Sequence, residues 1–151
     1  MSVTFEEARA RAASVGYQMV DDEVREAERW WYFAVAQIGC RGIVVDKHDG
    51  AVTEIGSRGD LDDWLWAHDA GVVCGDASLV DFIVEEFANR DEAIKLVRAL
   101  GIHTNNWRKI RDALDTLPAR FRRVPLWMSI RELRTIDRSI LRWRVEPSST
   151  P

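Results

Sequence analysis

The side chains with the readiest chemistry in this sequence are three histidines and two cysteines, and all five stand apart from one another. His48 lies between Asp46 and Asp49 in Asp46-Lys47-His48-Asp49-Gly50, residue types that suit a divalent metal. No second histidine or cysteine follows at ligand spacing, however, and turns collect Asp and His for backbone reasons alone. His68 precedes Asp69 near the end of an expected helix, where the dipole favours an imidazole, and His103 follows a glycine stop. Cys40 and Cys74 are far from any C-x-x-C spacing and read as reduced, small apolar fillers. No local motif joins a nucleophile to a base, and neither G-x-G-x-x-G nor G-x-x-x-x-G-K-[ST] occurs. The adjacent acids Asp62-Asp63 and Glu85-Glu86 point apart on a helix or a strand, so neither pair makes a two-carboxylate site. The sequence therefore assigns no catalytic residue, no metal and no cofactor.

Charge and tryptophan carry more. The chain has 151 residues, 25 acidic and 21 basic, for a net −4. Divided after Leu100, the first 100 residues carry −10 and the last 51 carry +6. Such asymmetry raises the question of a charged partner. The basic part holds Arg120, Arg122, Arg123, Arg131, Arg134, Arg138 and Arg142, interleaved with Trp107, Trp127 and Trp143, a pattern that suits phosphates and stacked bases. Against nucleic acid stands an overall pI near 5.4. The same arginines can also form the solvated face of a helix, or pair with the acidic first hundred residues.

Tryptophan, with seven copies, is the second anomaly. Trp30 and Trp31 are neighbours on an expected strand and must face opposite sides; Trp64 and Trp66, two apart on an expected helix, lie about 200° apart around its axis. One member of each pair is either an anchor for a protein partner or is covered by the basic C-terminal helices. Asp60, Asp62, Asp63 and Asp69 would form an acidic rim beside such anchors.

These residues must be positioned by elements that the sequence marks with caps and periodicity. Thr4 and Glu7 form a capping box before a short amphipathic helix that Gly16 stops. A brief strand is expected over Tyr17 to Val20, with Asp21-Asp22-Glu23 as its exit, and a buried strand over Arg29 to Gln37, after which Gly39 and Gly42 bracket a turn around Cys40. Ile43-Val44-Val45 and Val52 to Ile55 flank Asp49-Gly50 as a hairpin. Asp60 caps a helix that ends near Ala70-Gly71. Residues 79 to 87 read as a strand and 90 to 100 as a helix with a box at Asn89 and Glu92. Thr104 or Asn105 caps a helix closed off by Pro118, and Ser129 with Glu132 opens another that runs through Leu133, Ile136 and Ile140, with Arg131 to Arg142 along its side. The last five residues are expected to fray. The sum is one α+β domain: an antiparallel sheet of about four or five strands covered by helices, with a largely helical basic C-terminal portion over 101 to 146. No apolar run approaches the ~20 residues needed to span a bilayer, and the N-terminus lacks a secretory pattern, so a cytoplasmic protein is expected.

Trp30-Trp31-Tyr32-Phe33, then Gly42 to Val52 with Val44-Val45-Asp46-Lys47 and Asp49-Gly50, then Gly56-Ser57, resembles the YrhB-like immunity-protein family of bacterial polymorphic toxin systems. The match runs over residues 4 to 67, in the order helix, aromatic strand, hairpin, glycine, helix. The polar insertion usual in that family between the aromatic strand and the hairpin is nearly missing, and the segment after Ala70 has no counterpart. The resemblance implies a non-enzymatic protein that binds and neutralises a cognate toxin protein.

Overall fold

A computed structural model of the chain describes residues 2–73, 79–101 and 106–148. Backbone contacts gather the chain into two compact units, Met1–Ala70 and Gly71–Pro151, so the charge boundary at Leu100 falls inside the second unit.

The first unit runs α1 (Phe5–Ala13), β1 (Met19–Glu26), β2 (Trp30–Gln37), β3 (Cys40–Asp46), β4 (Val52–Gly56) and α2 (Leu61–Asp69). Its four strands form an antiparallel meander in the order β1-β2-β3-β4. The capping box is formed: Thr4 Oγ1 accepts from the Glu7 amide at 3.3 Å, and the Glu7 carboxylate accepts from the Thr4 amide at 2.8 Å. The run Trp-Trp-Tyr-Phe-Ala-Val on β2 is continuous because both of its faces are covered. Trp30, Tyr32 and Ala34 pack with Val44, Ile55 and Leu65 of α2 on one side. Phe33 and Val35 pack with Ile43, Val45, Ala8 and Ala12 of α1 on the other, with Trp31 against them. Gly42 is required by this packing: a Cβ there would run into the Tyr32 ring and lie 2.6 Å from the Phe33 carbonyl oxygen. The expected β3–β4 hairpin is present, and its loop is tied by Asp46, whose carboxylate accepts from the amides of His48 at 2.7 Å and Asp49 at 3.3 Å.

Two expectations change here. The first strand extends beyond Val20 through Glu26, taking Asp21-Asp22-Glu23 into an edge strand whose register shifts between Met19 and Val24. An edge strand tolerates such charges because they stay hydrated, and they also block pairing with another chain. Cys40 begins β3 instead of centring a turn, and the turn is made one step earlier by Gly39 at φ 84°.

The second unit runs β5 (Leu79–Phe87), α3 (Arg90–Ala99), α4 (Trp107–Ala113), β6 (Ala119–Pro125), α5 (Leu126–Thr135) and β7 (Leu141–Pro147). Its three strands form a second antiparallel sheet in the order β6-β5-β7. Residues 79 to 100 divide into strand and helix as expected, and the Asn89 side chain accepts from the Glu92 amide. The α+β class holds, but the sheet is two sheets of four and three strands, and the C-terminal portion is not largely helical.

The reason lies in a period of two. Ala119-Arg120-Phe121 and Leu141-Arg142-Trp143-Arg144 alternate buried and exposed, so they can flank the apolar β5 on either side. Helix α5 stops at Thr135 because Ile136 turns extended at φ −67°, ψ 123°. Ser129 does not open that helix. Pro125 stands at its N-cap, and the buried Ser129 hydroxyl donates to Leu100 O at 2.9 Å and is 3.1 Å from Pro125 O. Asn106 caps α4, while Thr104, Asn105, His103 and Cys74 lie outside the described residues. Of the expected frayed end, Pro147 closes β7 and Ser148 is hydrogen-bonded to Asp81; 149–151 lie outside the described residues.

Candidate functional site

The acidic rim is built at the start of α2. Asp60 is extended, and its carboxylate accepts from the Asp62 amide at 2.8 Å, which satisfies one orphan donor of the first turn. Asp62 accepts from Arg25 Nη1 at 2.7 Å, tying the edge strand β1 to α2. Arg25 pairs with Tyr32 across the sheet, so it lies on the face that α2 covers. Asp60, Asp62 and Asp69 are exposed, whereas Asp63 is 9% exposed. The exposed carboxylates of Asp21, Asp22 and Glu23 on β1 belong to this same unit. By sequence those three read as a strand exit, whereas an acidic triplet beside an apolar strand marks an edge.

The tryptophans part company. Trp30 is buried at 7% exposure, within the cluster that Leu65 of α2 closes. Trp31 is half-buried, 5.0 Å from the Phe5 ring and 4.6 Å below Lys47 Nζ. Trp30 thus packs under α2 and Trp31 against α1. Trp64 and Trp66 are half-buried on α2, and the Trp64 indole donates to Arg58 O at 2.8 Å. Beside them His68 is pushed down to about 4: burial lowers it, Asp46 opposes the shift and Arg29 adds to it. Its imidazole is neutral at pH 7.

In the second unit part of the expected nucleic-acid face is paired with acids of the same unit. Arg120 reaches Asp81 and Glu146, each at 2.7 Å. The 2%-exposed Asp81 also accepts from Ser148 Oγ at 2.8 Å and the Arg123 amide at 3.2 Å. Burial alone would raise the Asp81 carboxyl, but Arg120, Ser148 and the Arg123 amide together hold it below the usual range. Arg142 contacts Glu85 and Glu86 at 3.2 Å, and Arg144 contacts Glu85 at 2.9 Å and also Glu146. Arg138 stacks 4.0 Å over the buried Trp143 ring. Basic side chains after Leu100 thus pair with acids before it, on one sheet of one unit. Arg122 and Arg123 are exposed on β6, and Arg131 and Arg134 are exposed on α5, where each has interactions of its own.

No family model matches the chain, and neither a curated protein nor a solved structure does so. Among the described residues no helix is long and apolar enough to cross a membrane.

Proposed function

We propose that the chain is a protein-binding module of the immunity type, which neutralises a cognate bacterial toxin by laying the acidic surface of its first unit over a cationic active site. The observation that carries this reading is the Arg25–Asp62 contact, which ties the edge strand β1, with its exposed acids, to the exposed acids at the start of α2. That unit holds 14 acidic and 7 basic residues, a net −7. Such a field accelerates capture of a cationic partner and disfavours acidic ones. Trp64 and Trp66 are the anchors, Asp60, Asp62 and Asp69 the rim, and Trp30 serves as the core beneath, while Trp31 lies on the α1 face. The resemblance to YrhB-like immunity proteins supports the same reading: its helix, aromatic strand, hairpin, glycine and helix follow the element order of this unit, with β1 inserted before the aromatic strand.

The test is co-purification from the native host with the neighbouring gene expressed. A stoichiometric cationic protein is expected, released by salt and lost on combined Asp60→Asn, Asp62→Asn and Asp69→Asn substitution. Recovery of no stoichiometric protein, or a complex indifferent to those substitutions, removes the reading.

A further inference from the structure

The ion pairs of the second unit leave a residue of cations. Arg90, Arg111, Arg120, Arg142 and Arg144 each meet a carboxylate. Arg108 and Lys109 of α4 are exposed, and among the described residues neither meets a carboxylate within ion-pair reach. Arg98, exposed in the last turn of α3, is in the same position, and α3 packs against α4. Beside these cations stands Trp107, with the Arg108 guanidinium 5.5 Å and that of Arg111 5.2 Å from its ring centre. It remains 44% exposed with both in place. The contrast with Trp143, 2% exposed beneath Arg138, is direct: that ring is core, whereas Trp107 keeps aromatic surface in contact with solvent.

We propose that Trp107, Arg108 and Arg111 form a binding surface for single-stranded nucleic acid. A base stacks on the exposed part of Trp107, and Arg108 neutralises a neighbouring phosphate. The guanidiniums of Arg108 and Arg111 hold the ring in place and offer planar surfaces to a neighbouring base. Charge complementarity requires an anionic occupant, and an exposed flat ring requires one with free π-faces. A duplex buries those faces in its stack, and an acidic peptide has none in its charged side chains. This surface belongs to the second unit and stands independently of toxin capture by the first.

The experiment is fluorescence anisotropy of a labelled oligothymidylate of about 20 nucleotides, titrated with the full chain between about 50 and about 200 mM salt. Inorganic polyphosphate, poly-glutamate and a duplex of the same length serve as competitors. Saturable binding is expected at low salt, weakening steeply as salt rises. Trp107→Ala should weaken oligothymidylate binding roughly tenfold while leaving polyphosphate binding unchanged. Arg108→Ala, on an exposed side chain, should lower the salt slope by about 0.7, and decides the matter should Trp107→Ala fail to fold. No saturable binding at low salt overturns the proposal, as does an Arg108→Ala protein with an unaltered slope. Equal competition by poly-glutamate or by duplex, or indifference of a folded Trp107→Ala protein, overturns it equally.

Discussion

Arg120 Nη1 lies 2.7 Å from a carboxylate oxygen of Asp81, a side chain only 2% exposed. Asp81 stands on the central strand of the second sheet and Arg120 on the strand beside it. The other guanidinium nitrogen of Arg120 reaches Glu146 on the opposite edge strand, so one side chain spans all three strands. Removing Arg120 strands a buried charge, and that asymmetry governs the cost. Arg120→Ala should lower unfolding free energy by about 2–3 kcal/mol, at the low end for a buried pair because Arg120 itself is 38% exposed. Asp81→Asn should cost less, about 1 kcal/mol, because it keeps an acceptor. Denaturant midpoints of both variants check the order. The pH dependence has a definite sign. The Asp81 carboxyl is held below its unfolded value near 3.8, so its contribution is full above that value and is lost as pH falls through the lower folded value.

His68 predicts a second, higher window. Its folded value of about 4 lies below the unfolded 6.5, so between those limits the unfolded chain binds the extra proton. Stability therefore falls as pH drops from 6.5 to about 4, by at most about 3 kcal/mol, and no further below that. Asp46 opposes the shift and Arg29 reinforces it, so both charges enter the result. Urea unfolding of the wild type and of His68→Leu across this range measures it as a difference. The difference should become independent of pH above about 7; a wild type no more pH-sensitive than His68→Leu contradicts it.

The tryptophans of the first unit should separate by substitution. Trp30→Ala empties a core position and should cost about 3–5 kcal/mol. Trp30→Phe should cost under about 1.5 kcal/mol, since the Trp30 indole N–H is buried with no acceptor among the described residues. Trp64→Ala should cost about 1–2 kcal/mol, losing the indole bond to Arg58 O and part of its packing against the α2 side of the sheet. Its larger effect should be on capture of the protein partner. Thermal melts and the co-purified complex, measured on the same variants, distinguish a core tryptophan from an anchor.

What the sequence determined by itself is local. Thr4 with Glu7, Asp60 with Asp62 and Asn89 with Glu92 are hydrogen bonds between residues two or three apart, so residue type and spacing suffice to place them. The β3–β4 hairpin was legible for the same reason, its loop being tied by Asp46 to amides two and three positions on. Tertiary structure decided the rest. Leu141 to Pro147 carries apolar residues that fit the end of a helix as well as alternate positions of a strand, and the partner strand β5 settles the choice by supplying a ladder. Trp30 and Trp31 announce opposite faces, but only the docking of α2 and α1 shows that both are covered. The arginines follow the same rule. Arg120 and Asp81 are 39 positions apart, and a charge reads as a free surface cation until the fold brings its carboxylate within 3 Å. Periodicity reports which side of an element is apolar, whereas which element covers it and which charge meets which are properties of contacts distant in sequence.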